Sequence, residues 1–126
     1  LSDVTREALY LAISVCKEGN RIGDISKAIY EFVKKNGFDV IRGYTGHGVG
    51  KYLHEFPPIP NWPSGNGPKL VRNMTIAIEP MVVAGNFRVR ILPDGWSVVT
   101  IDGKPSAHWE HTVLITDSEP EILSLP

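Results

Sequence analysis

Gly43-Tyr44-Thr45-Gly46-His47-Gly48-Val49-Gly50-Lys51-Tyr52-Leu53-His54-Glu55-Phe56-Pro57-Pro58 is the stretch from which the rest of the chain is read. Glycines at 46, 48 and 50 alternate around His47. Without a Cβ, a backbone can pass close to another group, at a cost of about 1 kcal/mol per glycine in chain entropy. Two readings follow. The glycines expose one imidazole as a metal ligand or proton carrier, with His54 as a second polar group seven residues on. Alternatively they mark a bulge or a crowded strand crossing that happens to hold a histidine. The stretch alone does not separate the two.

The chain around it has 126 residues, 42% of them hydrophobic, with a formal net charge of −1. That suits one folded domain and excludes a disordered chain. No basic patch of the kind nucleic acids require is present, and Lys34-Lys35 reads as an ordinary helix end. No apolar run approaches a membrane span, and no signal-peptide pattern opens the chain. Cys16 is the only cysteine, so no internal disulfide can form; it reads as a small buried residue, and a cytoplasmic setting fits. The chain opens Leu1-Ser2-Asp3 at a helix start without a methionine, which reads as part of a longer protein.

Ser2 or Asp3 can cap a first helix whose apolar face is Val4, Ala8, Leu11, Ala12 and Val15, ended by Gly19-Asn20. A second helix begins near Gly23-Asp24. Its stripe is Ile25, Ala28, Ile29, Phe32 and Val33, and Gly37 stops it. From Phe38 onward the pattern changes to strands. A short one covers 39–42. The segment 57–68, rich in Pro, Gly, Ser and Asn, reads as a stiff loop. Residues 75–81 alternate as a strand, 87–91 and 96–100 flank a Pro93-Asp94-Gly95 hairpin turn, and 107–116 form a last long strand. Two helices followed by many strands is an α+β arrangement, with helices packed on a mostly antiparallel sheet.

Alternation then places the carboxylates. Pro80 blocks the ladder, so Glu79 stands at a strand end. Glu110 falls in mid-strand among apolar neighbours, where a carboxylate is costly unless paired, hydrogen-bonded or metal-bound. Taken singly, Glu110 could pair with Arg88 or Arg90, and Glu79 could be solvated. Taken together, His47, Glu79 and Glu110 bring an imidazole and two carboxylates from three strands, a donor set suited to Mn, Fe, Co or Zn. His108 and His111 are set aside. His111 faces away from Glu110, and His108 sits about 6–7 Å along the strand.

The strings GHGVGKYLHEFP (46–57), MTIAIEPMV (74–82) and DGWSVVTIDGKPSAHWEHTVLIT (94–116) occur in that order. Together they resemble the C-terminal half of a type I methionine aminopeptidase, and the resemblance covers essentially the whole chain. Prolidases and aminopeptidase P share the pita-bread fold and the GHG and HE strings, but typically follow IEP with Gly where this chain has Met81. Type II methionine aminopeptidases carry a helical insertion, for which the thirty residues between Glu79 and Glu110 leave no room.

The resemblance implies that residues 1–126 are half of a pita-bread catalytic domain, its N-terminal half lying outside this chain. It implies metal ligation by His47, Glu79 and Glu110, with Glu110 bridging two ions. Glu79 and His54 would serve catalysis, the latter by a hydrogen bond near the scissile peptide. Trp96 would help line the pocket for the methionine side chain. Ser106 would give a backbone carbonyl to a monovalent cation. The implied reaction is removal of an N-terminal methionine ahead of a small second residue. The family's other half supplies two aspartate ligands. Asp3 and Asp24 at helix starts, and Asp94 and Asp102 in turns, cannot replace them. The expectation is therefore at most one weakly held ion in this chain alone and little or no turnover. The expected partners are N-terminal Met peptides and either the missing half or a second copy of this chain. A prolidase-like Xaa-Pro peptidase and a non-catalytic peptide-binding module of the same fold are the alternatives.

Overall fold

The computed structural model describes residues 1–50 and 55–124. Helix α1 runs Ser2–Ser14 and α2 runs Ile22–Lys35, and the two pack against each other. The buried face of α1 is Thr5, Ala8, Leu9, Ala12 and Ile13. This corrects the expected stripe by one position: Ala8 and Ala12 belong to both registers, while Leu11 is 42% exposed. The threonine misleads because it looks polar. Its hydroxyl donates to the Leu1 carbonyl at 2.8 Å, so Thr5 can be buried without an orphaned group. Leu1, not Ser2 or Asp3, takes the N-cap position. The helix ends before Gly19, at a Val15 cap, and the Asn20 amide then donates to the Val15 carbonyl at 2.8 Å.

In α2 the expected stripe holds, with Ile25, Ile29 and Val33 fully buried and Ile22 and Ser26 added to it. Asp24 accepts from the Arg21 N–H at 2.7 Å at its start, and Gly37 follows its end at a positive φ of 84°. Cys16 is fully buried and its thiol donates to the Ala12 carbonyl. Burial pushes its pKa up to about 12. Native protein is therefore expected to leave an aromatic disulfide reagent unconsumed at pH 8. One thiol should appear only on addition of denaturant; rapid reaction of the folded protein would contradict this placement.

Among the described residues ten short strands follow: β1 (Asp39–Val40), β2 (Gly46–Gly48), β3 (Glu55–Ile59), β4 (Thr75–Ile78), β5 (Met81–Val83), β6 (Val89–Ile91), β7 (Val98–Thr100), β8 (Ser106–His108), β9 (His111–Leu114) and β10 (Glu121–Ile122). They form a five-stranded sheet in the order β10-β9-β4-β2-β3, a three-stranded sheet β1-β5-β8 and the β6-β7 hairpin. Every pairing is antiparallel. Helix α1 touches β4 and β8, and α2 touches β1 and β3. The core between helices and sheets holds Leu9, Ile25, Ile29, Ile59, Ile76, Ile78 and Val82. No helix among the described residues is long and apolar enough to cross a membrane.

Three expectations need correction. Pro57 and Pro58 lie in a strand, β3, not in a loop. The strand is at the edge of its sheet, where missing N–H groups are tolerated. The strand expected over 75–81 is broken at Glu79-Pro80, and the one expected over 107–116 is broken at Trp109-Glu110. The two breaks coincide. Ile78 is opposite His111 and Met81 is opposite His108, so one long antiparallel pair leaves the five-stranded sheet and enters the three-stranded one. Pro80 has no N–H for an unbroken ladder, and its carbonyl accepts from Trp109 N–H at 3.3 Å across the bend. Both glutamates therefore stand at the junction of the two sheets.

Candidate metal centre

His47 is the middle residue of β2, which lies between β3 and β4. A Cβ on Gly46 would collide with the Ala77 carbonyl, and one on Gly48 with that of Phe56. The β2–β3 register also shifts between His47 and Gly48. The glycines are thus a crowded, bulged crossing, and the strand they build brings the His47 imidazole beside Glu79.

Ligand atoms of His47, Glu79 and Glu110 all lie within 4.8 Å of one another. His47 Nε2 is 2.7 Å from Glu79 Oε2, and the two side chains are only 14% and 12% exposed. Glu110 is exposed, at the bend between β8 and β9. This corrects its expected place in mid-strand among apolar neighbours. It makes no ion pair with Arg88 or Arg90 among the described residues.

His47 Nδ1 is 3.0 Å from the Gly48 carbonyl. A ring N–H donated there leaves Nε2 presenting its lone pair to a carboxylate oxygen. A cation beside Nε2 satisfies the lone pair and both carboxylates together, and a backbone carbonyl behind the far nitrogen is the usual support of a metal-binding imidazole. The residues fit a divalent first-row ion.

Further residues stand beside these three: His108, which the sequence reading set aside, and Tyr44, Met81 and Asn61, to which it gave no role in the site. His108 Nε2 lies 3.6 Å from Glu79 Oε1, the oxygen turned away from His47. Glu79 beside it pushes the His108 pKa up. His108 was set aside as a ligand and stays outside the His47, Glu79 and Glu110 group; what the sequence did not show is its approach to Glu79. Together with Tyr44 and Met81 it lines an apolar cleft of about 300 Å³, completed by Ile41, Val98 and Ala107. The register pairing of Met81 with His108 places those two side by side. His111 is elsewhere, between Tyr10 and Ser124 hydroxyls at 3.1 and 2.7 Å. Asn61, fully buried, donates its amide to the Glu79 carbonyl at 2.8 Å.

The remaining expected residues are placed as follows. His54 lies outside the described residues. Trp96 is 81% exposed at the β6–β7 turn, two residues before the cleft residue Val98. Ser106 opens β8 opposite Val83 and borders the cleft.

Residues 1–117 match the model of metallopeptidase family M24. The methionine aminopeptidase of Clostridium perfringens is 50% identical over 123 residues, which are 97% of this chain and 49% of that protein. The crystal structure of a methionine aminopeptidase from Thermotoga maritima superposes with a TM-score of 0.96 at 53% identity, covering 98% of this chain and 50% of that one. The prolidase of Pyrococcus furiosus superposes less well, with a TM-score of 0.74 at 25% identity over 99% of this chain and 32% of that one. The chain thus spans about half the length of the relatives it matches. Its two helices and antiparallel sheets are the pita-bread fold of the methionine aminopeptidases over that span. By the extent of the family match, and with a His/Glu/Glu group gathered where two sheets meet, this chain belongs to metallopeptidase family M24.

Proposed function

We propose that the chain serves metal-dependent removal of an N-terminal methionine from peptides with a small second residue. The observation that carries this is the convergence of His47, Glu79 and Glu110, in a chain half-identical to methionine aminopeptidases. These three residues would hold a divalent ion such as Co, Mn, Fe or Zn. When bound, such an ion lowers the pKa of a water enough to give a nucleophile near neutral pH. Glu79 takes a proton in this reading and returns it to the leaving amine. His54 donates a hydrogen bond to the oxygen of the scissile carbonyl. The apolar cleft beside His108 excludes water and takes a side chain flanking that bond. Trp96 helps line the pocket for the methionine side chain, and the Ser106 carbonyl serves a monovalent cation.

The chain corresponds in this reading to the C-terminal half of the catalytic domain, working in the cytoplasm. The ligands it lacks come from an N-terminal half or a second copy. By itself it takes up at most one ion, weakly, and turns over little. Metal-loaded protein joined by the half that supplies the remaining ligands should cleave a Met-Ala peptide, lose that activity to EDTA and spare an Ala-Pro peptide, while the chain alone should cleave neither at a comparable rate. Preference for Ala-Pro would favour the prolidase-like alternative. Peptide binding without cleavage, unchanged by chelator, would favour a binding module.

A further inference from the structure

Asn61 does more than fill the core. It is fully buried, and its amide donates to the carbonyl of Glu79. That carbonyl sits at the sheet junction. The last rung of the five-stranded sheet on this strand is Ile78–His111, and the next hydrogen bond is from Trp109 N–H to the Pro80 carbonyl. The peptide between Glu79 and Pro80 has no N–H, so it cannot be held by a ladder bond from its own nitrogen. Its carbonyl accepts instead from the Asn61 amide, at 2.8 Å.

The loop is built to hold that amide still. Pro60 precedes Asn61 and Pro63 follows Trp62, each locking one backbone torsion. Trp62 packs against the core, with the Arg42 guanidinium 5.9 Å from its ring centre. The carbonyl can only accept, so the amide nitrogen must face it and Asn61 Oδ1 must face the other way. There it meets no donor among the described residues. A residue chosen for packing alone would not bring a buried acceptor without a partner. A leucine of nearly the same shape would fill the space without that cost.

We propose that Asn61 is a positioning residue for Glu79: it holds the Glu79–Pro80 peptide so that the Glu79 carboxylate points at His47 and Glu110. This rests on the reading of Glu79 as a metal ligand given above. Outer partners of metal ligands commonly change affinity tenfold to a hundredfold when removed, and Asn61 acts on its ligand through the backbone.

The test is a Co(II) titration of the full chain, followed by visible absorption and calorimetry, on wild type, N61L, N61A and V33A. Val33 is fully buried in α2 and belongs to the helix packing, so V33A reports loss of stability alone. Expected are about tenfold or greater weakening in N61L and N61A, an altered Co(II) spectrum at saturation, and wild-type affinity and spectrum in V33A. N61L is included because it removes the donor together with the orphaned acceptor, and so separates metal affinity from stability. Wild-type affinity and spectrum in N61L or N61A would overturn the proposal and leave the metal site standing. Absence of Co(II) binding by the wild type would instead remove the metal site, and this proposal with it.

Discussion

An H47A protein is expected to bind Co(II) or Mn(II) about a hundredfold more weakly than wild type, or beyond detection, with an unchanged far-ultraviolet spectrum. Second-sphere changes alone reach that size in metal sites, and His47 is the only nitrogen donor of the group. The two glutamates that remain stand at the end of β4 and in an exposed bend, which is a poor trap for a first-row ion without the imidazole between them. The fold should survive because neither Gly46 nor Gly48 is touched, and an alanine at 47 fits β2 between them. Isothermal titration gives the affinity and circular dichroism the control. Equal affinity in H47A and wild type would mean that the ion is held by other residues.

The second large effect is structural. G46A is expected to destabilise the protein by about 3 kcal/mol, at the upper end of the cost of overpacking a tight interior. The added Cβ would run into the Ala77 carbonyl of the neighbouring strand and against the Ile59 side chain. Neither is the free end of a flexible group. β2 sits between β3 and β4, so it has no open edge toward which to move. A urea unfolding curve measures the loss; a change below about 0.5 kcal/mol, the scatter of ordinary surface substitutions, would show that the crossing is looser than described. Any G46A protein that folds should also bind metal less well, since His47 is the next residue.

Much of this was legible in the residues. The i, i+3, i+4 spacing of Ile25, Ile29 and Val33 is visible in the sequence and is what the core uses. His47, Glu79 and Glu110 could be picked out because each stands out in the sequence pattern: one among glycines, one before a proline, and one in what alternation reads as an apolar strand, although the structure puts Glu110 in an exposed bend. Their convergence was not legible, since period-2 alternation assigns faces within a strand and says nothing of where a strand changes sheets. The same blindness hid the bend at Trp109-Glu110, and with it the approach of His108 to Glu79. In α1 the two candidate stripes differ by one residue and share Ala8 and Ala12. Only the hydroxyl of Thr5, bonded to the turn before it, decides which one is buried. Asn61 gave no signal, because a lone asparagine between prolines looks like any loop. Its meaning lies in a carbonyl eighteen residues away.

A crystal of the protein soaked in Mn(II) and measured at a wavelength where manganese scatters anomalously tests the central claim most directly. The account predicts one anomalous peak at the sheet junction, about 2.0–2.3 Å from His47 Nε2 and from oxygens of Glu79 and Glu110. A strong peak coordinated by other side chains, with none at the junction, would contradict it.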